Sequence, residues 1–201
     1  MLSSIMRGGV PVNENSAYQE EVWDELIGGK LVAMSPRPAI NHTRVSGNIF
    51  GIFRNYLKGK QCEPFPDGVD LYLSEEDRFI PDFMVVCDPD KIKPNGVYGA
   101  PDLVVEVLSP STMENDRTRK KDTYAGCGVP EYWIVSPGDK SIEQYLLRDG
   151  QFVLHGAYTL YPDWMLEQMS EEERSAVKTH FKCSLYDDLE IRIDDVFYRT
   201  V

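Results

Sequence analysis

Two acidic residues sit inside otherwise apolar, strand-like runs of this 201-residue chain: Asp82 in RFIPDFMVV and Glu106 in PDLVVEVLSPS. A carboxylate in such a run is costly to bury unless it is paired, hydrogen-bonded or bound to a metal. Paired strands lie about 4.8 Å apart, so in suitable register both carboxylates face one side and reach one cation. Hard cations such as Mg²⁺ take oxygen ligands, often one or two carboxylates completed by water and substrate phosphate. The backbone carbonyl of Val107 offers a further oxygen beside them. The chemistry these residues suit is metal-dependent phosphodiester hydrolysis.

Period-two alternation puts Val104, Glu106 and Leu108 on one strand face. A lysine two positions after Glu106 would orient the attacking water and stabilise phosphate charge, but this position is Leu108. The cation must come from elsewhere. In the following DRTRKKDTYAGCGVPEYW, Asp116, Lys120 and Tyr124 recur at i, i+4 and i+8 and share a helix face. Lys120 is the best substitute, because it projects from the element joined directly to the Glu106 strand.

Plainer readings stand beside these. Asp82 also suits a strand-end turn, and Glu106 a structural ion pair with Lys120. Lys120 keeps company with Arg117, Arg119 and Lys121, as on any solvated helix. Asp116 suits a helix cap or a group that orients Lys120, and Asp102 a turn. Ser109 and Ser111 flank Pro110 without a Gly-x-Ser-x-Gly elbow or a His partner, which is turn chemistry. Tyr132 and Trp133 fit the core.

The elements that must position these groups follow from apolar periodicity. Ser16 caps a short expected helix, AYQEEVWDELI, ended by Gly28-Gly29. KLVAMS reads as a strand stopped by Pro36 and Pro38. From Ala39 to Lys58, apolar residues from Ile40 to Leu57 recur at helical spacing and predict an amphipathic helix. Strand-like segments follow: a weak one from Cys62 to Phe65, then GVDLYLS, FIPDFMVV, DLVVEVLS, EYWIVS, SIEQYLL and QFVLHGAY. One long helix, 112–125, interrupts them, so 102–109, this helix and 131–136 form a βαβ unit with a parallel strand pair. The earlier strands, joined by short turns, are expected to be antiparallel. YPDWMLEQMS reads as a surface insertion before a short helix in EEERSAVKTHF, and the tail as a strand and a helical turn. Residues 1–16 read as a loose arm. Residues 17–201 read as one α/β domain, a mixed β-sheet flanked by α-helices.

Composition bounds the rest. The length suits one well-buried core. A net charge of −12 argues against broad, non-specific nucleic-acid binding. It is compatible with a local basic patch beside an acidic metal site, because metal-bound carboxylates belong to the negative count. The apolar runs are too short to span a bilayer, and the N-terminus has no apolar core of signal-peptide length. The expected location is cytoplasmic. Cys62, Cys87, Cys127 and Cys183 form no CxxC pair, which disfavours a zinc site and predicts reduced thiols.

At the level of motifs the chain resembles the Uma-two family, within the PD-(D/E)xK nuclease superfamily. The resemblance runs from near Glu25 to the C-terminus through DELIGGKLVAMSPRP, His42, IPD, APDLVVEVLSPST and DRTRKKDTYAGCGVPEYWIVSP. It implies a restriction-endonuclease-like core with a metal-binding pair at Asp82 and Glu106. It also implies a helix lysine at Lys120 rather than Lys121. Glu25 and His42 match the family's early glutamate and histidine. The family usually has an acidic residue and then Gly in its first turn, where this chain has Gly28-Gly29. The implied activity is a Mg²⁺- or Mn²⁺-dependent endonuclease acting on DNA, with no membrane partner and with a homodimer left open. The alternative is a catalytically silent module that binds nucleic acid or protein on the same scaffold.

Overall fold

Gly28 and Gly29 both take left-handed backbone, at φ 56° and 72°, as a two-residue turn between twisted antiparallel strands requires. In the computed structural model, which describes residues 24–33 and 38–201, they join β1 (Asp24–Ile27) to β2 (Lys30–Ala33). Asp24 lies opposite Ala33 and Ile27 opposite Lys30. The helix expected to end at Ile27 is therefore a strand from Asp24 onward. Over so few residues the apolar pattern fits either period, and the glycine pair decides. The rest of that expected helix, the arm at 1–16 and the Pro36 turn lie outside the described residues.

Helix α1 (Ile40–Leu57) follows, burying Val45, Ile49, Phe53 and Leu57 along one stripe as its spacing predicts. Seven short strands come next: β3 (Glu63–Pro66), β4 (Leu71–Tyr72), β5 (Arg78–Phe79), β6 (Phe83–Val86), β7 (Ile92–Lys93), β8 (Gly96–Tyr98) and β9 (Leu103–Val107). The expected long helix is two, α2 (Met113–Arg117) and α3 (Arg119–Gly126), broken at Thr118, whose φ −123° and ψ −96° lie outside the helical region. Then come β10 (Glu131–Ser136), β11 (Ser141–Arg148) and β12 (Gln151–Thr159). The expected insertion holds α4 (Asp163–Gln168), and the short helix expected after it is α5 (Glu171–Ala176). The tail forms β13 (His180–Lys182), β14 (Glu190–Arg192) and α6 (Ile193–Val196).

The central sheet has the order β12-β11-β10-β9-β6-β3. Its one parallel pair is β9 with β10, as the βαβ unit requires. A second sheet, β2-β1-β5-β4-β8-β7, and the ribbon β13-β14 accompany it. The strands ahead of β9 are not all antiparallel, because β4 runs parallel to β8. On one face of the central sheet, Phe83, Val85, Val105, Trp133 and Val135 pack against α1 and the C-terminal elements. On the other, Met84, Val104, Leu108, Tyr132 and Ile134 pack with Tyr124 of α3 and with Ile27, Leu71, Phe79 and Val97 of the second sheet. Every residue of β9 and β10 is buried, which is why those runs are apolar apart from Glu106, Glu131 and the terminal Ser136.

The expectation of four reduced thiols is corrected in part. Glu63 lies opposite Val86 in the β3–β6 ladder, so Cys62 and Cys87 are cross-strand neighbours, and they form a disulfide. Sequence separation hid a pair that strand register creates. Cys127 and Cys183 are free.

Candidate active site

The β6–β9 ladder sets Phe83 opposite Val105 and Met84 opposite Val104. One further step places Asp82 opposite Glu106, and directly opposed residues share a face. Asp82 lies just before β6, where its Oδ2 accepts a 2.7 Å bond from the Val107 N–H. Its Oδ1 is 3.1 Å from Nε2 of His42, near the start of α1. Glu106 is buried in mid-strand, and its Oε1 accepts from the Tyr124 hydroxyl at 2.7 Å and from Lys120 Nζ at 3.2 Å. Lys120 also lies 2.8 Å from Glu25 Oε1 and 3.6 Å from Asp116 Oδ1. That Glu25 oxygen accepts a second bond, 2.9 Å, from the Ile80 N–H.

All seven side chains singled out in the sequence thus meet. Glu25 comes from β1, His42 from α1, Asp82 from the approach to β6 and Glu106 from β9. Asp116 comes from α2, and Lys120 and Tyr124 come from α3. The face shared by Asp116, Lys120 and Tyr124 survives the break at Thr118, since all three are buried toward Glu106. Leu108 is on the same side of β9 and is apolar core, so the lysine does reach this carboxylate from the helix.

The electrostatics are those of acids crowded out of water. Burial pushes Glu106 well above the ordinary carboxylate range, only partly opposed by Lys120. Burial likewise raises Asp116, against the pull of Lys120. For Lys120, burial alone would lower the pKa, but Glu106, Glu25 and Asp116 outweigh it and hold the ammonium well above an ordinary lysine. Tyr124 is pushed well up by burial and by Glu106, so it stays a hydroxyl donor. Burial lowers His42, yet its bond to Asp82, with a further contribution from the Val107 backbone, leaves it raised overall. The Oδ1 of Asp116 is buried without a hydrogen-bond partner, because Lys120 at 3.6 Å is an ion pair too long to be a hydrogen bond.

Among the described residues, no three His, Cys, Asp or Glu side chains converge in the manner of a ready-made metal cage. The Lys120 ammonium and the His42 ring lie between the carboxylates instead. Two contributors escaped the sequence reading. The Ile80 N–H has no side-chain signature at all. Asp67, in the Pro66-Asp67-Gly68 bend, interacts with the charges of Asp82, His42 and Lys120 and is raised by burial and by Asp82. It falls in the gap between the weak strand expected at Cys62–Phe65 and the strand-like GVDLYLS, where neither spacing nor motif marks it.

The chain is similar to known proteins in sequence and in fold. The profile of the Uma2 family, described as "Putative restriction endonuclease", matches residues 17–174. The uncharacterized protein slr1290 of Synechocystis sp. is 29% identical over 157 residues, covering 77% of this chain and 76% of that protein. The crystal structure of a putative nuclease belonging to DUF820, from Anabaena variabilis, superimposes with a TM-score of 0.65 at 18% identity. It covers 87% of this chain and 89% of that one. At that identity the likeness is one of fold.

Proposed function

The chain belongs to the Uma2 family, and from that membership we propose that it hydrolyses DNA phosphodiester bonds with the help of Mg²⁺ or Mn²⁺. The observation that carries the reading is Asp82 set opposite Glu106 at a strand end, with Lys120 bonded to Glu106 from the following helix. The donor set suits a hard cation, since it is built of carboxylate and carbonyl oxygens with one imidazole. Four acids, Glu25, Asp82, Glu106 and Asp116, face Lys120 and His42, and one buried Asp116 oxygen has no hydrogen-bond partner. That local excess of negative charge favours a cation.

Asp82, Glu106 and the Val107 carbonyl would hold the ion. Once bound, it supplies a water of lowered pKa and neutralises phosphate oxygens. Lys120, held protonated by its three acids, does not take a proton from water. Its contribution is a fixed positive charge toward the phosphate. Glu25 and Asp116 position Lys120, and Tyr124 fixes the orientation of Glu106 by donating to Oε1. His42 does the same for Asp82.

The second reading, a silent scaffold that binds nucleic acid or protein, is favoured by one feature: Lys120 pairs directly with Glu106 in place of an ion. Nicking of supercoiled plasmid in Mg²⁺ by wild type, D82A, E106A and K120A tests the proposal. Each variant is expected to lose about a hundredfold or more, the scale of removing one preorganised charge or donor. Equal rates in all four proteins would sink the catalytic reading, and an absence of Mn²⁺ uptake would favour the scaffold.

A further inference from the structure

We infer that the cleft under α4 and α5 is a binding site for a small amphipathic anion, an apolar body that carries one acidic group. The site is separate from the acids around Lys120 and does not depend on the proposed hydrolysis.

The cleft is a cavity of about 270 Å³ that α4 and the segment after α5 close against β13 and α6. Leu160, Leu166, Val177 and Ile193 give it apolar walls. An apolar body gains by leaving water for such a space. A second cavity of about 390 Å³ shares Tyr161, Val177 and Lys178 with the first, so Lys178 stands between the two. Ile193 belongs to the core on the α1 side of the central sheet, the face turned away from Glu106.

The two helices supply an independent sign. Each is six residues long, and neither has a buried side chain. Helices so short take their stability from packing. An occupant of the cleft would cover Leu166 of α4 and Val177 just after α5, and so supply the packing they lack.

Charge selects the kind of occupant. Lys178 forms no ion pair among the described residues, and its Nζ lies 5.4 Å from the centroid of the Tyr158 ring. Arg192 also lines the cleft but is bonded to Asp194, through Nε at 3.0 Å and Nη2 at 2.5 Å. Lys178 is therefore the cation left for a ligand. Around the rim the sequence of α4 and α5 sets Asp163, Glu167, Glu171, Glu172 and Glu173 against Arg174 alone. That field repels an extended polyanion such as nucleic acid. A single acidic group on an apolar body meets Lys178 while its body lies against the apolar walls.

The test titrates the full chain with anilinonaphthalene sulfonate, an aromatic anion that fluoresces on apolar protein surface. Phenylnaphthylamine, the same ring system without the sulfonate, is the uncharged probe. Wild type should bind the sulfonate saturably and more tightly than the amine. K178Q should weaken the sulfonate about tenfold or more, the scale of a charged hydrogen bond, and leave the amine unchanged. L166E should weaken both, and K58Q, at an exposed lysine away from the cleft, neither. Thermal melting serves as the folding control, and both lysine variants should melt with wild type. The site is overturned if wild type shows no saturable binding, if K178Q binds the sulfonate as wild type does, or if it loses both probes equally. It is also overturned if L166E changes nothing, or if K58Q weakens the sulfonate as much as K178Q does.

Discussion

Lys120 is the residue on which the stability of the site turns. Its ammonium is buried among Glu25, Glu106 and Asp116, and its removal leaves those acids together without compensation. Breaking a buried ion pair on one side costs about 3–5 kcal/mol, and that is the loss expected for K120M at neutral pH. The pH dependence has a definite sign. Glu106 and Asp116 are raised above their unfolded values by burial, so between the unfolded and folded pKa the native state holds more protons. Stability is therefore fully present below the ordinary carboxylate range and is lost as pH rises through the raised values. K120M, lacking the cation that opposes both shifts, should lose stability more steeply than wild type between pH 5 and pH 8. Urea denaturation at both pH values checks this, and a pH-independent deficit would contradict it. The seven residues of the cluster were legible because each lies in a motif or on a helix face with others. Asp67 was not, because only the pairing of β3 with β6 places it beside Asp82.

At the scale of elements, Glu131 does for the opposite face of the sheet what Lys120 does for the site. It is fully buried at the start of β10 and has no cationic partner among the described residues. Its Oε1 accepts from Trp133 Nε1 and Gln144 Nε2, both at 2.6 Å. Its Oε2 accepts from the Ser184 N–H at 2.6 Å and the Ser184 hydroxyl at 2.5 Å. One carboxylate so fastens β10 to β11 and to the turn after β13. Four donors leave no room for an amide, whose NH₂ would face other donors. E131Q is expected to cost about 2 kcal/mol, the scale of an unsatisfied buried group, measured by chemical denaturation. Because the cluster of Glu106 lies on the other face, Mn²⁺ uptake should be unchanged. A loss of uptake at unchanged stability would place Glu131 in the site instead. Other element-level features were hidden for physical reasons. The β1–β2 hairpin depends on backbone signs at Gly28 and Gly29, and a side chain at Gly28 would come within 2.6 Å of Arg119 Nη2. The second sheet is built of strands of two to four residues, too short for period two to stand out.

The whole molecule differs most from its sequence reading in how its edge is secured. One mixed sheet was expected, and two face each other across the buried site. The central sheet ends at β3, a strand of four residues with prolines at 64 and 66. Each proline removes a donor from the ladder, and such strands belong at edges for that reason. Little but register and packing would hold β3 in place, yet it carries Asp67 at one end. At the other end the Cys62–Cys87 disulfide bonds it to β6. A link closing a loop of this size contributes about 2–4 kcal/mol, chiefly by restricting the unfolded chain. Reduction, or the C62S/C87S pair, should therefore lower the melting temperature by about 5–10 °C for a chain of this length. The loss should be local in character. Amide exchange should accelerate in β3 first, while β9 and β10, buried on both faces, keep their protection. Unchanged melting and exchange on reduction would show that packing alone holds β3.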